Sequence, residues 1–79
     1  MTLDEMLYIL DLPCDSATLS VWDFEEGDLK EVASFDMLTD IKTIRERLTF
    51  DDEKYLRCDV TYVGYSPFDS KHITIELDK

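Results

Sequence analysis

The apolar residues of this chain fall into two spacings, and the order in which those spacings alternate restricts the fold more than any other feature. Leu3, Met6, Leu7 and Leu10 recur at i, i+3, i+4 and i+7, which gives one stripe on a helix over residues 3–10. Thr2 to Glu5 form a capping box in which hydroxyl and carboxylate satisfy each other's backbone N–H, and Pro13 stops the helix. The period then changes to two. Over 18–24, Leu19 and Val21 point one way and Ser20, Trp22 and Phe24 the other, as on a strand. Glu25, Glu26, Gly27 and Asp28 make a turn with a glycine for positive φ, and 29–35 is the returning strand of a hairpin.

A second helical stripe follows at Leu38, Ile41, Ile44 and Leu48, with Asp36 or Thr39 as its cap. Residues 50–54 read as a short acidic connection. Residues 55–63 read as the longest strand, with Leu56, Cys58, Val60 and Tyr62 on one face. A loop over 64–70 holds Pro67. The final strand over 72–77 turns Ile73, Ile75 and Leu77 inward and His72, Thr74 and Glu76 outward. The expected fold is α+β in the order α-β-β-α-β-β. It has one four-stranded antiparallel sheet with both helices on its apolar face, all within a single domain.

Charge is distributed unevenly over that frame. Residues 1–36 hold ten acids and a single base, a net charge of −9, whereas 37–79 hold nine acids and seven bases, a net of −2. Crowded like charges weaken a compact state, and solubility alone needs far fewer of them. Disorder is not the consequence, because the chain is 44% hydrophobic and 11% aromatic with only two glycines and two prolines. An acidic surface argues against direct contact with nucleic acid or anionic lipid, both of which require cations. It points instead to a basic protein surface as partner, although a solvated face that only confers solubility is the plainer alternative. No run approaches the ~20 apolar residues of a membrane span, and the opening MTLDEM lacks the features of a signal peptide. Cys14 and Cys58 read as reduced thiols, which places the chain in the cytoplasm.

No catalytic, metal or cofactor pattern emerges. The stretch from Asp23 to Asp28 fails as a calcium loop, with glycine fifth rather than sixth and Ser34 in the twelfth place. His72, Cys14 and Cys58 are scattered and form no zinc set. A Cys58–His72 dyad would need both groups on one face, whereas alternation separates them, with His72 solvated on the polar side. The protein is therefore expected not to be an enzyme. Trp22 and Phe24 are more telling. They either cover a hairpin edge or pack inside a strand buried on both faces, or they form an aromatic anchor within an acidic rim. In the anchor case the partner-binding residues are Trp22, Asp23, Glu25, Glu26, Asp28 and Glu31. Tyr62, Tyr65 and Phe68 offer a second patch on the same terms.

The layout resembles small acidic proteins carried by phages and mobile elements of Gram-positive bacteria. Those open with a capped helix like TLDEMLYIL, continue with a strand–turn–strand like TLSVWDFEEGDLKEV and close with a strand like HITIELD. The resemblance covers most of the chain as element order and charge, and it carries over no functional residue. It implies an anti-CRISPR or anti-restriction inhibitor that occupies the DNA or RNA channel of a nuclease by mimicry. An immunity or antitoxin-like protein neutralising a basic toxin would use the same electrostatics. A structural or adaptor module is the third class.

Overall fold

The capping box forms as its four residues require. The Thr2 hydroxyl accepts the Glu5 N–H at 3.2 Å, the Glu5 carboxylate accepts the Thr2 N–H at 3.2 Å, and helix α1 runs Leu3–Ile9. The computed structural model describes residues 1–78, except the side chain of Phe50. After α1 come β1 (Ser16–Asp23), β2 (Asp28–Phe35), helix α2 (Thr43–Arg47), a 3-10 helix (Phe50–Arg57), β3 (Asp59–Ser66) and β4 (Asp69–Asp78). One apolar cluster joins Leu3, Met6 and Leu7 of α1 and Ile44 of α2 to Ala17, Leu19 and Val21 of β1 and to Ile73, Ile75 and Leu77 of β4. The inward sides of α1, β1 and β4 are those the periodicity assigns.

The sheet is mixed, not purely antiparallel. Its order is β2-β1-β4-β3, and the central pair β1–β4 is parallel, with Ser16 opposite His72 and Val21 opposite Leu77. Each hairpin is antiparallel and placed by its own short turn. Because β2 and β3 then run the same way at opposite edges, the chain between them must cross the sheet, which α2 and the 3-10 helix accomplish. Local alternation specifies each hairpin but carries no information about which strands meet when two hairpins join.

Helix α2 is shorter than its stripe implies. Leu38, Ile41 and Ile44 are buried as expected. However, the Leu38 N–H is donated to Asp15 O at 2.8 Å and the Ile41 N–H to Leu12 O at 2.9 Å, so neither is available to a helix. Met37 also sits at φ 57°, outside the helical region. The residue at the cap is Lys42, which makes no side-chain capping bond, and not Asp36 or Thr39. The Asp40 carboxylate accepts the Thr43 N–H at 3.1 Å and its hydroxyl at 3.2 Å.

The strand expected over 55–63 starts late, at Asp59, because residues 50–57 coil into the 3-10 helix. Asp51, Asp52 and Glu53 lie in its first turn, and Lys54 and Arg57 in its last, which suits the helix dipole at both ends. Cys58 is accordingly the residue after that helix, not a mid-strand position. A bulge between Val60 and Tyr62 then shifts the alternation. Val60 and Val63 pack on the core while Tyr62 turns outward. The expected loop over 64–70 is instead strand on both sides of a turn at Pro67 and Phe68.

Candidate functional site

The β1–β2 turn is organised by Asp23. One of its carboxylate oxygens accepts the N–H groups of Glu25 at 2.9 Å and Glu26 at 3.4 Å, an Asx turn written by the residue itself. The Gly27 N–H is donated back to Asp23 O at 2.8 Å, and Gly27 adopts φ +70°, where a side chain would be strained. The second Asp23 oxygen meets Lys30 Nζ at 3.2 Å, and Lys30 also reaches Glu26 at 3.0 Å. The Lys30 hydrogen bond, helped by the two backbone donors, holds the Asp23 carboxyl below the usual aspartate range. Glu26 and then Asp23 push the Lys30 ammonium up.

Of the five carboxylates expected to form a rim, Asp23 and Glu26 are thus occupied by Lys30. Glu25, Asp28 and Glu31 form no ion pair among the described residues and are exposed. Trp22 is half-buried and stands opposite Leu29 in the ladder. Its ring meets that of Phe24 edge-on, with centroids 6.2 Å apart and planes at 77°. Phe24 itself is 69% exposed. The hairpin therefore carries all six expected residues, with Trp22, Asp23, Glu25, Glu26 and Asp28 at its turn end and Glu31 farther along β2, opposite Ser20. Beside it opens a cleft of about 360 Å³ lined by Val21, Trp22, Phe24, Lys30, Val32 and Tyr55, among others. Tyr55 comes from the 3-10 helix, and sequence spacing gives no hint that it would reach the hairpin.

The second aromatic patch does not assemble. Tyr62 stands opposite Glu76 and Tyr65 opposite Ile73, neighbours on opposite faces of β4. The Tyr65 hydroxyl is donated to Pro13 O at 2.9 Å. The Tyr62 hydroxyl lies 2.6 Å from where a Gly64 Cβ would be, so the absence of a side chain at 64 lets that ring lie along the strand. Phe68 stands alone in the β3–β4 turn, 97% exposed.

His72 is not merely solvated. It is half-buried between two hydroxyls of the adjacent parallel strand, with Nδ1 at 2.6 Å from Ser16 Oγ and Nε2 at 2.9 Å from Thr18 Oγ1. Either hydroxyl donates or accepts, so both ring nitrogens are satisfied in either tautomer. The cluster pins the parallel seam on its outer face. No sequence signal reveals it, because it exists only through the β1–β4 register. Cys14 is buried, and that burial, followed by the nearby Asp40 and Asp15 charges, pushes its thiol up and away from reactivity.

Compared with known proteins, the chain matches no family model, no curated protein and no solved structure. Among the described residues, no helix is long and apolar enough to cross a membrane.

Proposed function

We propose that the protein is a non-catalytic acidic inhibitor whose β1–β2 hairpin binds a basic protein surface and keeps nucleic acid from it. The observation that carries this reading is that one hairpin holds Glu25, Asp28 and Glu31, unpaired with cations among the described residues, together with the Trp22–Phe24 ring pair. Duplex DNA presents about one negative charge per 1.7 Å of axis. A hairpin end with several carboxylates within a few such spacings competes for the same lysines and arginines. The aromatic pair supplies the apolar anchor that phosphate lacks. The net charge of −11 adds long-range attraction to any cationic channel.

The test is capture from a Gram-positive bacterial lysate by the immobilised full chain at low and high salt, read by mass spectrometry, with duplex DNA added as competitor. The expected partner is a nucleic-acid-binding enzyme released by both salt and DNA. A partner that does not bind nucleic acid, such as a basic toxin, or one that DNA leaves in place, overturns the mimicry.

A further inference from the structure

We propose that the cleft beside the β1–β2 hairpin is a receptor for a single arginine side chain, with the guanidinium held against the aromatic residues of its lining and its charge met by Asp23 and Glu25. This deepens the inhibitor reading and rests on it only for the source of the arginine, which is the basic partner. Three aromatic residues and two acids line this one opening of about 360 Å³. The volume falls within the range of small-ligand sites, about 300–1,000 Å³. The Trp22 and Phe24 rings meet edge-on with planes at 77°, and Tyr55 joins the lining from another element.

A cation is attracted to ring faces within about 6 Å of the centroid. Lys54 Nζ already stands 5.2 Å from the Tyr55 centroid, so an arriving guanidinium shares that ring with it. Val21 and Val32 line the same cleft and offer apolar surface to a long methylene stem. Phe24 is 69% exposed, so its ring is open to a ligand. Arginine fits better than lysine because its guanidinium is planar, weakly hydrated, stacks on aromatic faces and bonds a carboxylate in two places. Lys30 is the built-in competitor. Its ammonium lies 3.2 Å from the Asp23 carboxylate and lines the cleft, so an arriving guanidinium must share that carboxylate or take Glu25.

Trp22 is the chain's single tryptophan, so its fluorescence reports on the cleft without interference. The full chain is titrated at low ionic strength with a blocked Gly-Gly-Arg-Gly-Gly peptide. Matching peptides carry lysine or citrulline, the latter keeping arginine's shape without its charge. The arginine peptide should saturate the signal, the lysine peptide should bind severalfold more weakly, and the citrulline peptide should give no saturable change. Phe24→Leu and Tyr55→Leu, each checked by thermal melting, should weaken arginine binding by about three- to tenfold. Lys30→Met, which releases Asp23, should tighten it. Citrulline binding equal to arginine, or unchanged affinity in both folded leucine variants, overturns the receptor. If the arginine peptide binds as stated but no nucleic-acid-binding partner is captured, the receptor stands and the inhibitor reading falls. If such a partner is captured and the peptides show no arginine selectivity, the inhibitor reading stands and the receptor falls.

Discussion

The hairpins β1–β2 and β3–β4 each contribute one central and one edge strand to the sheet, yet their turns carry different chemistry. Both central strands point an apolar triplet at the helices, Ala17, Leu19 and Val21 from β1 and Ile73, Ile75 and Leu77 from β4. Because those strands are parallel, the two turns lie at opposite ends of the sheet. The β3–β4 turn is closed by Ser66 Oγ, which accepts the Phe68 N–H at 3.2 Å, and by Asp69, which accepts the Lys71 N–H at 2.9 Å. The β1–β2 turn adds a lysine clasp, an aromatic pair and three further carboxylates to the same pattern of side-chain-to-backbone bonds. The contrast separates tasks. The parallel seam secures the fold, and little of the core depends on the first turn, where the proposed recognition lies.

The sharpest way to break that separation is to cut into the seam. Ile75 is fully buried, and Ile75→Ala should cost about 2–5 kcal/mol, a large part of the stability of a small domain. Phe24→Leu at the exposed turn should stay within about 0.5 kcal/mol of wild type in the same urea titration. If the two variants unfold at similar urea concentrations, the turn belongs to the core after all.

Gly27→Ala isolates the turn's backbone. Nothing lies within 4 Å of the added methyl group, so its cost is the strain of a left-handed residue alone, about 1–2 kcal/mol. Gly27→Asn should recover part of it, and a recovery no better than alanine would mean that the strain lies elsewhere. On the other side of the molecule, Thr2→Ala removes the cap that starts α1, at about 1 kcal/mol. That helix start is pinned to the second hairpin, with the Leu3 N–H donated to Cys58 O at 2.9 Å and the Val60 N–H to Met1 O at 2.8 Å. Hydrogen exchange should therefore rise in β3 and not in β2.

The smallest expected effect is electrostatic. Asp23 and Glu5 titrate lower in the folded protein than in the unfolded chain. Their contribution is complete above the ordinary carboxylate values, about 3.9 and 4.3, and is lost as pH falls through the lower folded values. Lys30 is raised, so its share is complete below about 10.4 and lost as pH rises through its folded value. Relief of repulsion among the acids works the other way between pH 7 and 5. The melting midpoint should rise slightly from pH 7 to 5 and fall below pH 4, and Asp23→Asn should flatten part of the acid limb. A midpoint that falls steadily from pH 7 would count against crowded acids as a cost to the fold.

What the sequence made legible follows the range of each interaction. The Thr2–Glu5 box, the Gly27 turn and the inward residues of β1 and β4 depend on neighbours within a few positions, and all appear as read. The same locality gathers Trp22, Asp23, Glu25, Glu26, Asp28 and Glu31 on one hairpin. The parallel seam, the Ser16–His72–Thr18 cluster and the arrival of Tyr55 at the cleft depend on distant partners. Helix α2 fell between the two cases. Its stripe is buried, but tertiary hydrogen bonds from Leu38 and Ile41 shorten the helix that the stripe suggests. The bulge between Val60 and Tyr62 shows the limit of alternation itself, since one extra residue exchanges the faces of everything beyond it.

The parallel seam also has a consequence during synthesis. Ser16 and its partner His72 are 56 residues apart in the chain. A ribosome adding about 5–20 residues per second makes β4 several seconds after β1. A hairpin closes in about 1–10 μs, so β1–β2 has ample time to form and reopen before its central partner is made. Throughout that interval β1 lacks its β4 partner and leaves an unpaired strand edge, which is prone to self-association. The ten acids in the first 36 residues are already present on that nascent piece. Repulsion between two such pieces hinders their joining, so the charge that weakens the finished domain protects the half-made one.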